Sequence, residues 1–178
     1  MKSPFVILID TRETKPWKFE HVPAPGGKGE IDVQRKWQCL GDHLGDYTIQ
    51  GAASLLSIER KSLNDLFQTI LGRRDNFEIE LYNLQQMEYA AVIVEAPLEQ
   101  VISHIPEYFQ EMEISPDKQL WKQRQVIGSI VAYQLRYPNV RWFFLSRSYA
   151  EIWAYKVLDR FYEDRLKGRP SYGKAKSC

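Results

Sequence analysis

The chain has 178 residues, 44% of them hydrophobic and 13% aromatic, which is enough for one well-filled core and too little for two domains of ordinary size. A formal net charge of +1 excludes a nucleic-acid binder that works by bulk charge, so any such partner must be met by a local patch. Cys39, Cys178 and the scattered histidines His21, His43 and His104 support neither a disulfide framework nor a zinc site, and a reducing cytosol is the expected setting.

Lys2 precedes a short apolar run, Phe5 to Ile9, which Asp10 ends before a signal-peptide core or a membrane span can form; a buried strand is expected. The proline- and glycine-rich stretch DTRETKPWKFEHVPAPGGKGE follows as a long loop. IDVQRKWQCLGDHLGDYTIQG has strand character with a turn at Gly41-Asp42, AASLLSIERK is a further strand after a turn at Gln50-Gly51, and the two predict a hairpin. Ser62 and Asp65 form a capping-box pattern opening a helix with Leu63, Leu66, Phe67 and Ile70 on its apolar face and Gly72 at its end. A second helix is predicted over roughly residues 75–89. AAVIVEA reads as a central strand covered on both faces. The stretch from Pro97 to Gln119 predicts a short helix and a loop, residues 118–137 a helix, and NVRWFFL a strand. The last helix carries Ala150, Trp153, Ala154, Val157, Leu158 and Phe161 on one face and Ile152, Tyr155 and Tyr162 on a second stripe. Residues 1–167 are expected to form one domain and 168–178 a basic tail. Strands alternating with helices after a hairpin predict an α/β layer structure with a mixed sheet.

One stretch stands out chemically, GDYTIQGAASLLSIERKSLND. Glu59 and Lys61 leave one face of their strand and Arg60 the other, because side chains alternate along a strand. Asp46 lies on the partner arm of the hairpin, which brings its carboxylate toward Glu59. Two acids at close range repel unless a cation sits between them, and an all-oxygen ligand set favours Mg²⁺ or Mn²⁺. Few ligands with open positions suit phosphodiester hydrolysis, where one ion holds a phosphate oxygen and a water together. The plainer reading makes Asp46 a turn residue, Glu59 and Lys61 a surface pair and Asp65 a helix cap; on these residues alone it stands ahead.

The string GDY…ERKSLND also resembles the GDx(n)ERKxxxD signature of the XPF-like structure-specific endonucleases, a branch of the restriction-endonuclease-like fold that includes the archaeal Hef nuclease. LIDTRE resembles that family's first-strand VDxRE, GRRDNFE its GR-containing stretch, AAVIVEA its LLIE-type strand, and PNVRWFFLSRSYAEIWAYKVL its closing strand and helix. The resemblance implies a restriction-endonuclease-like core and a metal-dependent DNA endonuclease acting on branched, flap or fork DNA. It implies that Asp10, Glu13, Asp46 and Glu59 are the acidic site residues, with Asp46 and Glu59 as metal ligands and Asp10 holding the metal directly or through water. By the same resemblance Lys61 orients or helps deprotonate the attacking water and stabilises negative charge. Arg60 takes a supporting ion pair with Asp65, and Arg12, Arg73 and Arg74 contact DNA phosphates. It further implies a homodimer through the late strand and helix.

Family members commonly carry a tandem helix-hairpin-helix module after the nuclease domain, and only a short tail follows here, so a stand-alone nuclease domain is expected. Two other readings stay open: a catalytically silent DNA-binding scaffold of the same family, and a nuclease on plain duplex ends or single strands. The expected location is the cytoplasm of a prokaryotic or virus-infected cell, or the nucleus of a eukaryotic one. Trp17 and Phe19 are candidates either for stacking on a base or for anchoring their loop. His43 reads as a structural turn residue, and Arg165, Lys167, Arg169, Lys174 and Lys176 as a solvated basic terminus.

Overall fold

The computed structural model describes residues 1–41, 44–103 and 114–168. Six strands form one mixed sheet: β1 (Lys2–Asp10), β2 (Asp32–Gln38), β3 (Tyr47–Ile49), β4 (Leu56–Lys61), β5 (Tyr89–Val94) and β6 (Val140–Phe144), in the order β2-β1-β3-β4-β5-β6. β2 lies parallel to β1, β3 is antiparallel to both β1 and β4, and β4, β5 and β6 run parallel. The expected hairpin is therefore β3–β4, with Tyr47 opposite Ile58, whereas the IDVQ segment pairs with the first strand instead.

β5 shows why the central run has no polar alternation. Ala90, Val92 and Val94 face a helical layer built from α1 (Leu63–Gly72), α2 (Arg74–Leu84) and α4 (Pro116–Arg136), through Leu66, Phe67, Phe77, Leu81, Ile130 and Tyr133. Ala91 and Ile93 face the opposite layer, made by α5 (Arg147–Phe161) and the long loop after β1. Both faces are dry, so every position is apolar. The short α3 (Leu98–Ser103) fills part of the predicted helix-plus-loop stretch.

Helix boundaries moved for identifiable reasons. α2 ends at Leu84 rather than near Tyr89, because Tyr89 is the first residue of β5. On α5 the buried set is Ala150, Ala154, Tyr155, Leu158 and Phe161, while Trp153 remains 43% exposed. Tyr155 thus takes the core place assigned by periodicity to Trp153, and stacks on Phe5 at 5.6 Å.

The long loop is anchored from within. Trp17 and Phe19 are both 1% exposed and pack on Tyr47, Trp17 stacked at 4.6 Å and Phe19 edge-on at 5.9 Å. That burial removes them as base-stacking candidates. It also holds Phe19 at a positive φ of 53°, a conformation an L-residue keeps only where its surroundings impose it. His43, Arg169, Lys174 and Lys176 lie outside the described residues. Arg165 and Lys167 are engaged in ion pairs with Glu88 and Glu163. Among the described residues no helix is long and apolar enough to cross a membrane.

Candidate active site

The site begins with a backbone necessity. Gly45 has φ +75°, and a Cβ there would meet Ser57 Oγ at 2.6 Å and the Ile58 backbone at 3.2 and 3.3 Å. Only glycine lets the chain pass this close to β4 and turn into β3. The next residue, Asp46, is fixed between two strands: its N–H donates to Ile58 O at 2.9 Å and its carbonyl accepts from Asp10 N at 2.8 Å. Its Oδ2 accepts from Arg60 N at 2.8 Å, the one hydrogen bond this carboxylate makes among the described residues.

β4 then divides its charges by face. Glu59 and Lys61 point to the α1–α2 side, where Lys61 Nζ binds Glu59 Oε1 and lies 3.6 Å from Asp65 Oδ2 and 3.9 Å from Glu80 Oε2. The ammonium sits 5.0 Å from the centre of the Phe77 ring. Arg60 points to the other side, toward Glu95 at 3.1 Å and Glu13 at 3.4 Å. The expected Arg60–Asp65 pair is absent because strand alternation puts the two on opposite faces. Asp65 is held by Lys61 and by Arg73 at 2.8 Å, and its backbone N–H is capped by Ser62 Oγ at 3.1 Å.

The electrostatics are those of a crowded acidic site. Burial and the neighbouring Glu59 charge push Asp46 well above the ordinary carboxylate range. Burial, with Glu59 again beside it, pushes Glu80 up to about 10, and the two glutamates share a hydrogen bond. Burial alone would lower Lys61, but Glu59, Glu80 and Asp65 outweigh it and keep the ammonium charged beyond the usual lysine range. Asp46, Glu59 and Lys61 line an open cleft of about 580 Å³ that also takes in Glu13, Asp65 and Arg73. An adjoining recess of about 300 Å³ shares Asp46, Glu59 and Lys61 and adds Asp10 and Glu80.

Asp10 has protein donors on both carboxylate oxygens. Its Oδ1 accepts from Arg12 N and Nε, both at 2.8 Å, and its Oδ2 from Leu40 N at 2.9 Å and Arg12 Nη2 at 3.2 Å. Burial raises its pKa, yet these donors win and hold it below the ordinary value. Arg12 also donates to the Gly41 carbonyl. Arg73 stays more than half exposed at the cleft, whereas Arg74 turns to α4, donating to Ser129 Oγ at 2.5 Å and facing the Tyr133 ring at 6.0 Å. Arg74 is therefore a helix-packing residue rather than part of the cleft.

Sequence reasoning missed Glu80 and Glu95. Glu80 gave no signal, since an acid on a charged helix looks like surface. Glu95 did give one: a carboxylate directly after a fully buried parallel strand, at the carboxyl end of the sheet where α/β folds place their sites. Among the described residues, no three His, Cys, Asp or Glu side chains are arranged as a metal-holding group. The donor set nonetheless suits a hard divalent ion: oxygen only, with Asp46 and Glu59 repelling one another and facing open space.

No protein-family model matches the sequence, and no curated protein does. Solved structures do. XPF from Aeropyrum pernix superimposes with a TM-score of 0.58 at 18% identity, covering 97% of this chain and 68% of that one. XPF from the same organism in complex with DNA gives a TM-score of 0.54 at 19% identity, covering 90% of this chain and 66% of that one. The chain thus spans about two thirds of the length of these structures. Its mixed sheet with helices on both faces is an XPF-like nuclease fold of restriction-endonuclease-like architecture.

Proposed function

We propose that this chain is a divalent-metal-dependent endodeoxyribonuclease whose domain spans residues 1–167, cutting branched, flap or fork DNA. The observation that carries the reading is the carboxylate cluster around Lys61. Glu59, Asp65 and Glu80 surround its ammonium, Arg73 pairs with Asp65, and Asp46 stands against Glu59, a local excess of carboxylates that a bound Mg²⁺ or Mn²⁺ would compensate. The fold neighbour solved with DNA supports DNA as the polymer.

Asp46 and Glu59 would hold the ion. It would supply positive charge to the scissile phosphate and acidity to the attacking water. Asp10 has protein donors on both oxygens, so we assign it to fixing Arg12 and the backbone at Leu40 rather than to direct ligation. Lys61, held cationic by three carboxylates, stabilises charge developing on the phosphate instead of taking a proton from water. Glu13 lines the cleft beside Asp46, and Arg73 and Arg12 at its rim would contact backbone phosphates.

One observation favours a second reading, a DNA-binding scaffold without cutting: the missing three-ligand group noted above. Purified protein incubated with fork, flap, four-way junction, duplex and single-stranded DNA, with Mg²⁺, Mn²⁺ or chelator, decides between them. Metal-dependent cutting that vanishes in Asp46→Asn and Lys61→Ala supports the enzyme. Binding without cutting by any form supports the scaffold, and preference for plain ends or single strands removes the branched substrate.

A homodimer through β6 and α5 accompanies the proposal. β6 is an edge strand, Trp153 is exposed beside Phe143 at 5.2 Å, and an apolar hollow of about 480 Å³ lies between Tyr89, Arg141 and α5. Trp153→Glu should convert a dimer to a monomer in light scattering after size exclusion.

A further inference from the structure

The second buried charge cluster lies on the opposite face of β4 from Lys61 and, Glu13 apart, has no part in the chemistry above. Its centre is Glu95, 7% exposed at the side chain, one residue past β5. Three donors from three distant segments converge on it. Trp17 Nε1 donates to Oε1 at 2.7 Å, Arg60 Nε to Oε1 at 3.1 Å, and Arg147 Nη1 to Oε1 and Oε2 at 2.8 and 2.9 Å. Arg147 also reaches past Glu95 with Nη2, which donates to the carbonyls of Lys15 and Pro16 at 3.1 and 3.2 Å. Arg60 in turn spans to Glu13 Oε2 at 3.4 Å, while Glu13 Oε1 accepts from Lys15 N at 2.6 Å.

Each contact answers a need that burial creates. An indole N–H in a dry core needs an acceptor, and a buried carboxylate or guanidinium needs a charged partner. Arg147 adds a separate indication. It occupies the first turn of α5, where the helix dipole disfavours a cation, and no acidic residue of that turn offsets it. The local cost of that choice is compensated by Glu95 alone among the described carboxylates, so Arg147 is placed for the tertiary contact rather than for the helix.

We propose that Glu95 is a positioning residue: with Arg147 and Arg60 as its two arms it clamps the loop after β1 and thereby sets Glu13 at the rim of the catalytic cleft. The two glutamates balance the two arginines, so the clamp requires neither ion nor proton. It acts on the cleft through Arg60 and Glu13 and touches no substrate. Its catalytic consequence rests on the nuclease reading; its structural consequence does not.

The test uses the full chain with Arg147→Ala, Arg147→Lys and Glu95→Gln, Arg147 being half exposed and safe to change. Amide hydrogen exchange is followed at residues 12–19 and, as a control, at 90–94. The clamp predicts exchange at least about 10-fold faster in the loop with the control unchanged, in both Arg147 variants, since lysine lacks the fork that joins carboxylate and carbonyls. In single-turnover cutting it predicts about a 10-fold lower rate at unchanged DNA affinity, a positioning loss. Unaltered loop exchange in all three variants overturns the clamp. So does a faster loop without a rate loss in a wild-type protein that cuts, because Glu13 then does not depend on it. If the wild type never cuts, the nuclease reading falls while the exchange result still decides the clamp.

Discussion

The two faces of β4 carry buried charge in opposite ways. On one, Arg60 and Arg147 meet Glu13 and Glu95 in equal number, and each charge has a partner within 3.4 Å. On the other, four carboxylates meet Lys61 and Arg73, and protonation takes up part of the excess, as the pKa of Glu80 near 10 shows. A balanced cluster is a structural joint. An unbalanced one is held at a cost in stability, and on the proposed reading it is where the divalent ion would bind.

This contrast can be broken first at the joint. Glu95→Ala leaves two guanidinium groups and an indole without their acceptor and should lower the unfolding free energy by about 3–5 kcal/mol in a denaturant titration. Asp46→Asn should do the reverse of a structural mutation. The asparagine oxygen can still accept from Arg60 N, the repulsion with Glu59 disappears, and the denaturation midpoint should hold or rise while cutting falls about 10²–10³-fold. A fall in both would make Asp46 part of the joint.

Gly45→Ala tests the hinge between the faces. Positive φ and the contact with the β4 backbone should cost roughly 1–3 kcal/mol, with loss of cutting because Asp46 is displaced.

The pH dependence sharpens the comparison further. Glu80 has its pKa raised from about 4.5 to about 10 on folding, so the folded state binds more protons than the unfolded state between those values. Its contribution is fully present below pH 4.5 and is lost as pH rises toward 10, with a slope of at most about 1.4 kcal/mol per pH unit for one proton. Glu80→Gln should flatten that slope in denaturation curves between pH 6 and 9, and saturating Mg²⁺ should flatten it in the wild type.

Much of this was legible along the chain. Period-two alternation on ERK separates Arg60 from Glu59 and Lys61, and Ser62 caps α1 as its spacing requires. The apolar run of β5 announced a strand covered on both sides. Other readings failed where a choice between surfaces was needed. Trp153 and Tyr155 are both large and amphipathic on one helix, and only the position of Phe5 decides which is buried. Trp17 looks like an exposed loop aromatic until Tyr47 is placed beneath it. Arg73 and Arg74 are neighbours in sequence, but Arg73 is the non-helical junction between α1 and α2 while Arg74 opens α2, so one lines the cleft and the other meets α4.

The sequence by itself determined the order of strands and helices along the chain and the side of β4 on which each charge emerges. Those follow from backbone geometry and local spacing. The partners of the buried charges were decided only by tertiary structure: Glu95 gathers Arg60, Arg147 and Trp17 from 35, 52 and 78 residues away, and Glu80 reaches Lys61 from a different element. The reason is physical. A charge removed from water must be compensated within a few ångströms in space, and spacing along a chain says nothing about which distant group will stand there.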